Sequence, residues 1–338
     1  MELKIFALKS SEDFAKKICE HLEVPLSLIE ERSFDDGEHK IRPLECVRGQ
    51  DVFVIESLYT DQQQTVNDKI CKLLFFISTL KDSSAKTVTV VIPYLAYARK
   101  DQRTKDRDPL SLKYLARLIE VSGADHLITM DANNISAFQN AFRIPTEHLE
   151  ARVLFAEYFS EIFSHQEVVV VSPDAGGLKR AELFRETLKN LYKKNVEKAY
   201  MEKQRKMESL LTTGLIIGNV KNKAAVIIDD IISTGSTIKL TLQALHEAGA
   251  SDIYVCATHG IFTEMSKELI MEPKLKKIIV TDTIVPWRIK HDLPTDKLMI
   301  VDSTLLFSKA LKRMQEGGSI TELLQRYPHA VQELSHLN

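Results

Sequence analysis

Two apolar runs constrain the fold of this chain more than any other feature. Val88–Ile92 and Val168–Val171 lack the alternation of polar and apolar residues that marks a strand with one face in water. They therefore predict strands covered by helices on both faces, as in parallel sheets. With eight similar segments they give ten predicted strands, at 4–8, 51–57, 87–94, 126–131, 167–173, 198–202, 224–230, 252–259, 277–283 and 297–302.

Amphipathic segments separate these strands. Apolar residues recur at spacings of three and four in 65–80, 110–121 and 237–247, which predicts helices with one buried face. Gly123 and Gly249 follow the second and third segments, where glycine commonly ends a helix. The repeated alternation of strand and helix predicts α/β domains, each with a mainly parallel sheet flanked by helices.

The length of 338 residues is typical of two domains. Pro145 and Thr146 interrupt the pattern, so the predicted boundary separates residues 1–149 from residues 150–338. Each half holds a similar series of strand–helix units, which suggests a duplication. An open alternative is that the C-terminal tail docks back on the first domain.

Composition excludes several classes of protein. The formal net charge is −2, so the chain lacks the basic excess of a nucleic-acid-binding protein. It has no apolar run of the ~20 residues that span a bilayer, and its N-terminus has no signal-peptide pattern. Four dispersed cysteines form no metal-binding pattern. We therefore expect a cytoplasmic protein with no nucleic-acid partner and no membrane partner.

The segment 226–237 carries the strongest chemical signal. An apolar strand ends in Asp229 and Asp230, and a short turn then opens a helix. Backbone N–H groups at a helix start bind phosphate, and paired carboxylates accept hydrogen bonds from sugar hydroxyls. A ribose 5-phosphate site is therefore predicted, with the phosphate held by Ser233, Thr234, Gly235, Ser236 and Thr237.

This segment resembles the ribose-phosphate loop of the phosphoribosyltransferase-type fold. The resemblance implies two similar domains of that type. By itself, the segment fits either a transferase that consumes phosphoribosyl pyrophosphate or the enzyme that makes it.

Two segments of the first half decide between these readings. Residues 33–38 and 93–103 resemble the nucleotide-binding signatures of the ribose-phosphate pyrophosphokinases, and a simple transferase needs no such site. An aromatic ring and two acceptors suit an adenine, and an arginine suits phosphate oxygens. The resemblance implies adenine contacts across a subunit interface, and ATP-binding residues Phe34, Asp36, Glu38, Arg99, Lys100 and Asp101.

Further motifs extend the resemblance from about Phe6 to Leu324. Residues 201–205 match the family's flexible catalytic loop, so we expect a mobile cationic loop over 201–209 with Lys203 and Arg205 as the catalytic residues. Residues 172–177 match a motif whose aspartate positions metal–ATP and ribose. The implied metal is Mg²⁺, and the implied metal-site residues are Asp131, Asn133 and Asp174.

The implied reaction is ATP-dependent transfer of diphosphate to the C1 hydroxyl of ribose 5-phosphate, which yields 5-phosphoribosyl 1-pyrophosphate and AMP. Alternatives are a larger acceptor such as ADP-ribose, or a low-activity paralogue that regulates a partner. The implied assembly is a homodimer sharing the ATP site, often within a hexamer.

Three departures from the family pattern motivate the alternatives. Asn133 stands where the family has an active-site histidine, and it cannot titrate near neutral pH. Ser233 stands where many members have an acid. Lys100 and Gln102 replace the more usual Gln and Arg.

Overall fold

The computed structural model describes residues 3–159, 162, 165–205, 212–289 and 295–325. The described residues form two compact units. The first contains residues up to Glu150 together with 303–324, and the second contains the described residues of 151–302 with Gln325. The assignment of the ATP to one domain and of ribose 5-phosphate to the other stays a prediction.

The first unit is built on a five-stranded parallel sheet of order β1-β4-β5-β6-β7 and a separate two-stranded hairpin, β2–β3. Its strands are β1 (Lys4–Ala7), β2 (Ile29–Ser33), β3 (His39–Pro43), β4 (Asp51–Ile55), β5 (Thr87–Ile92), β6 (His126–Met130) and β7 (Thr146–Leu149). Its helices are α1 (Glu12–Leu22), α2 (Val66–Asp82), α3 (Ser111–Val121), α4 (Ile135–Ala141) and, after the second unit, α9 (Thr304–Glu316).

The apolar run of β5 lies where its sequence predicts. Val88, Val90, Val91 and Ile92 have no exposed surface, because the strand is central and both of its faces are covered. Helix α2 packs its apolar face on this sheet, and it begins with a capping box in which Thr65 and Asp68 satisfy each other's backbone N–H groups.

The second unit is built on a seven-stranded sheet of order β10-β9-β8-β11-β12-β13-β14, in which only β10 runs antiparallel to its neighbour. Its strands are β8 (Val168–Ser172), β9 (Glu197–Arg205), β10 (Thr212–Ile217), β11 (Ala224–Ile232), β12 (Ile253–Gly260), β13 (Leu275–Thr281) and β14 (Leu298–Val301). Its described helices are α5 (Arg152–Tyr158), α6 (Leu178–Tyr192), α7 (Ser236–Glu247) and α8 (Lys267–Ile270).

The predicted fold class is confirmed, because both units are α/β with mainly parallel sheets and flanking helices. All ten predicted strands are present within a few residues of their predicted bounds. Four short strands, β2, β3, β7 and β10, were not predicted. None of the helices in the described ranges is long and apolar enough to cross a membrane.

The prediction of a mobile loop over 201–209 is wrong for residues 201–205. Met201–Arg205 is the end of β9, paired antiparallel with β10, and residues 206–211 lie outside the described part of the chain. The strand continues because Ala199 and Met201 are buried on one face, and the apolar residues of β10 offer a pairing partner. Lysines on the exposed face made the segment look like a loop.

A buried ion-pair cluster lies where β4 ends, in the first unit. The side chain of Lys69 is completely buried, with its Nζ 2.9 Å from Asp61 and 3.9 Å from Glu56, and it lies 3.9 Å from the centre of the Tyr59 ring. Burial raises the pKa of Glu56 to about 7, although Lys69 opposes the shift. Ser10 also donates a hydrogen bond to Glu56.

We predict that Lys69→Met destabilises the first unit by about 3–5 kcal/mol at pH 8, because it leaves the buried carboxylate of Glu56 and the half-buried carboxylate of Asp61 without their cation. The loss is expected to be smaller at pH 5.5. A glutamate has a pKa of 4.5 in the unfolded chain, so the folded state binds this proton more tightly and stability falls as pH rises from about 4.5 to about 7. Removing Lys69 strengthens that trend.

Hydrogen exchange of the β4 and α2 amides, compared with wild type at each pH, measures the effect, with β11 amides as the reference. The double variant Glu56→Gln/Lys69→Met removes the titrating acid and should lose the pH dependence. Equal destabilisation of Lys69→Met at both pH values would contradict the assignment.

Candidate functional site

Most of the residues predicted to bind ribose 5-phosphate lie on or just after neighbouring strands of the second unit. Strands β9, β8 and β11 are adjacent and parallel, so their carboxyl ends meet at one edge of the sheet. Ligands of open α/β sheets bind outside this edge. Lys203 lies on β9, Asp174 follows β8, and Asp229 and Asp230 lie on β11.

The two aspartates share one guanidinium. Arg180 Nη1, on α6, lies 3.3 Å from Asp229 Oδ1 and 3.4 Å from Asp230 Oδ1. Asp229 also accepts a hydrogen bond from the backbone N–H of Asp230 at 2.9 Å. Burial, and then the neighbouring charge of Asp230, hold the pKa of Asp229 well above its usual value, and Arg180 partly offsets this rise.

Arg180 is a residue of this sheet edge that sequence reasoning missed. A signal was present, because Lys179 and Arg180 place two cations in the first turn of α6 and no acid lies there. Helix dipoles disfavour cations at the N-terminus of a helix, so basic residues there indicate an acidic partner nearby. For Arg180 this partner is the pair of aspartates on β11.

The turn between β11 and α7 is shaped by Gly235. This residue has φ +75°, a conformation that favours glycine, and a Cβ atom here would lie 2.9 Å from Leu269 Cδ2. As the residue that caps α7, it has no side chain to occupy the first N–H groups of the helix. Thr234 Oγ1 lies 3.1 Å from Ser236 Oγ, so the hydroxyls cluster at the same helix start.

Lys203 reaches this helix start from β9. Its Nζ donates a hydrogen bond to Thr237 Oγ1 at 3.3 Å. The position of β9 relative to α7 is fixed by packing, since Thr241 Oγ1 lies 3.6 Å from Met201 Sδ and Gly214 leaves room for Met201. Arg205 ends β9, and its side chain lies outside what the structure describes.

Asp174 lies in a glycine-rich loop between β8 and α6. Its Oδ1 accepts a hydrogen bond from the N–H of Gly177 at 3.1 Å, and Ser172 Oγ donates to its carbonyl at 2.6 Å. A Cβ atom at Gly177 would lie 2.7 Å from Ser172 Oγ, so the close turn requires glycine there. The aspartate is half-buried and shapes its own loop.

In the first unit, two predicted segments leave neighbouring strands at the same edge of the sheet. Arg99, Lys100 and Asp101 follow β5, and Asp131 and Asn133 follow β6, which pairs with β5. Arg99 and Lys100 are exposed, and in the described part of the chain their side chains form no hydrogen bond or ion pair. They are therefore free to meet a charged ligand.

The turn after β6 is held by its backbone. Asp131 has φ +40°, unusual for a residue other than glycine, and its N–H donates to the carbonyl of Leu149 at 2.9 Å. The N–H of Ala132 donates to His148 Nε2 at 3.0 Å. Asn134 caps α4, and Asn133 between them is exposed.

Phe34, Asp36 and Glu38 lie on the exposed turn of the β2–β3 hairpin. The guanidinium of Arg32 lies 5.0 Å from the centre of the Phe34 ring, and Asp36 accepts a hydrogen bond from the N–H of Glu38. Among the described residues, no hydrogen bond or ion pair joins this turn to residues 99–101 of the same chain.

Comparisons with known proteins agree with this geometry. Residues 3–123 match the profile of the N-terminal domain of ribose phosphate pyrophosphokinase, and residues 191–325 match that of the phosphoribosyl synthetase-associated domain. The two matches fall on the two halves of the chain.

Whole-chain relatives carry the same name. A ribose-phosphate pyrophosphokinase of Fusobacterium nucleatum is 38% identical over 323 residues, 95% of this chain and 98% of the relative. That of Caldanaerobacter subterraneus is 38% identical over 95% of this chain and 97% of its own length. The crystal structure of phosphoribosylpyrophosphate synthetase from Mycobacterium smegmatis superposes with a TM-score of 0.84 at 30% identity, covering 94% of this chain and all of that one. The chain therefore belongs to the ribose-phosphate pyrophosphokinase family.

Proposed function

We propose that this member of the family transfers diphosphate from ATP to the C1 hydroxyl of ribose 5-phosphate through the residues described above. The observation that carries the proposal is the sheet edge where Asp229 and Asp230, the hydroxyl-rich start of α7, and Lys203 meet. Two carboxylates, a helix start and a lysine suit a sugar phosphate and a reacting polyphosphate.

Ribose 5-phosphate, which accepts the diphosphate, is held at two ends. The phosphate accepts hydrogen bonds from N–H groups and hydroxyls of residues 233–237, while Asp229 and Asp230 accept hydrogen bonds from ribose hydroxyls. Arg180 opposes the rise in the pKa of Asp229 and so favours the ionised form of this acid, which has more acceptor capacity than a protonated carboxyl. The acceptor is thereby fixed before reaction, which lowers the entropy cost of the transfer.

The donor is bound by the first unit. Arg99 and Lys100 are exposed cations suited to the phosphates of ATP, and Phe34, Asp36 and Glu38 suit its adenine. Because the hairpin turn carrying Phe34 is exposed, it can also serve a neighbouring copy of the chain. A homodimer sharing the ATP site, within a hexamer, is therefore part of the proposal.

The proposed Mg²⁺ fits the chemistry of its predicted ligands. Asp131 and Asn133 in the first unit, and Asp174 in the second, each offer oxygen atoms, which this hard cation prefers. Within the described ranges, no cluster of three or more His, Cys, Asp or Glu side chains is placed to hold a metal. Mg²⁺ is typically held by one or two carboxylates and by substrate phosphates, so single carboxylates suffice. When bound, it neutralises phosphate charge.

The reaction is an in-line displacement. The C1 hydroxyl attacks the β-phosphorus of ATP and releases its proton to water, the bond from that phosphorus to the α-phosphate oxygen breaks, and AMP leaves with that oxygen. Charge spreads over the phosphoryl oxygens in the transition state, so placement of cations does most of the catalysis. Lys203 and Arg205 supply those cations from the end of the β9–β10 hairpin.

Neither ADP-ribose as the acceptor nor a purely regulatory role is favoured by an observation on the described residues. Family membership favours ribose 5-phosphate, and so does the sheet edge that carries Asp229, Asp230 and the start of α7. The cytoplasmic location stays a prediction.

We predict that Lys203→Ala lowers kcat by about 10²–10³-fold, the usual cost of removing a charge from a transition state. Release of AMP and formation of 5-phosphoribosyl 1-pyrophosphate measure the effect. Lys198→Ala is the matched control, since Lys198 lies on the same strand and pairs with Glu182 instead. Near-normal turnover in Lys203→Ala would remove the hairpin from the mechanism.

We predict that Arg180→Gln raises KM for ribose 5-phosphate, and that the acid limb of kcat/KM moves to higher pH. Without the guanidinium, the already raised pKa of Asp229 rises further, so the carboxyl is protonated over a wider pH range. Arg180→Lys keeps the charge and should keep most of the wild-type profile. An unmoved acid limb in Arg180→Gln would show that Arg180 does not govern these acids.

We predict that Asn133→His leaves kcat within about tenfold of wild type but adds a titration to its pH profile near 6.5. The reason is that Asn133 is exposed, while backbone contacts of its neighbours hold the turn. The profile of kcat from pH 5.5 to 8 measures it, with Asn133→Gln as control. A rise of about 10²–10⁴-fold in Asn133→His would instead mark Asn133 as a catalytic defect.

A further inference from the structure

The hairpin that carries Phe34 cannot hold its own orientation. Strands β2 and β3 form a two-stranded sheet separate from the five-stranded sheet of the first unit. Isolated hairpins are at best marginally stable in water. The direction in which the turn 34–38 points must therefore depend on contacts between the hairpin and the rest of the unit.

A buried ion pair makes one polar contact between the hairpin and the rest of the unit. Lys72 Nζ, on α2, lies 2.8 Å from Glu31 Oε1, on β2, and only 9% and 7% of these side chains are exposed. Glu31 Oε2 accepts a hydrogen bond from the backbone N–H of Lys9 at 2.9 Å. One carboxylate thus ties β2 both to α2 and to the segment after β1.

A stacked ring pair supports the other strand. His39, on β3 opposite Ser33, stacks on Phe75 of α2 with ring centres 5.4 Å apart and planes inclined by 26°. Burial and then the charge of Lys72 lower the pKa of His39, against the opposing effect of Glu31 and Asp68. The ring is therefore neutral at neutral pH and places no second cation beside Lys72.

We propose that Glu31 and Lys72 are positioning residues for ATP: their ion pair sets the direction of the turn 34–38, and so the affinity for adenine. This inference rests on the proposed role of Phe34, Asp36 and Glu38. The two carboxylate oxygens of Glu31 hold β2 against α2 and against the segment after β1. These contacts fix the direction of the turn 34–38 at the other end of the hairpin. Breaking it displaces the adenine contacts and leaves the ribose 5-phosphate residues, all in the second unit, unchanged.

The test is the steady-state kinetics of Lys72→Met and Glu31→Gln with ATP and ribose 5-phosphate varied separately. Displacement of a binding group by about an ångström costs on the order of 10–100-fold, so KM for ATP should rise by that factor. KM for ribose 5-phosphate, and kcat at saturating ATP, should change less than about twofold, as expected of an independent site. Lys72→Arg keeps the ion pair and should restore most of the ATP affinity.

Two controls make the outcome decisive. Lys81→Met breaks the Lys81–Asp125 ion pair at the far end of the same helix and should leave KM for ATP unchanged. Phe34→Ala tests the proposed adenine contact itself. If Phe34→Ala raises KM for ATP and folded Lys72→Met does not, the inference is wrong and the proposed function stands.

If Phe34→Ala leaves KM for ATP unchanged, the adenine contact and the inference built on it both fall. Far-UV circular dichroism establishes folding. Should Lys72→Met not fold, Glu31→Gln, which keeps the shape of the side chain, decides in its place: an unchanged KM for ATP overturns the inference.

Discussion

Complete burial of the central strands is the constraint on which the rest of the second unit depends. Val168–Val171 of β8 and Ala224–Ile227 of β11 have almost no exposed surface, so charged side chains have no place along them. Polar chemistry is possible only where the strands end. Asp229 and Asp230 lie near the carboxyl end of β11, and the loop of Asp174 follows the neighbouring strand β8. The core thus decides where the site can be.

Burial also determines the electrostatics of this edge. Burial and the charge of a neighbouring carboxylate both favour the protonated form of an acid, and they raise the pKa of Asp229. The single guanidinium of Arg180, 3.3 and 3.4 Å from the two acids, limits this rise. An Arg suits this place better than a Lys, because its planar group presents several donors and stays charged. A similar balance recurs in the first unit, where Lys69 offsets two acids at the end of β4.

Much of this architecture could be predicted from sequence, for physical reasons. Apolar runs such as Val168–Val171 identify buried strands. The composition of 226–237 predicts the strand, turn and helix start that the structure shows there, and its binding of phosphate stays a prediction. The β2–β3 hairpin could not be predicted, since its polar strands are stabilised by tertiary contacts such as Glu31 with Lys72. The ion pairs of Arg180 could not be predicted for the same reason. Its long side chain meets Asp229 and Asp230 only because the fold places α6 beside β11.

The turn after β6 is held by contacts of the residues on both sides of Asn133. Its left-handed Asp131 is fixed by the carbonyl of Leu149, the N–H of Ala132 is bound by His148, and Asn134 caps the next helix. Each of these contacts is made by a neighbour of Asn133. These contacts hold the backbone path through the turn and the placement of Asp131. Because an asparagine does not titrate near neutral pH, Asn133 can orient a ligand in the proposed reaction but cannot transfer a proton.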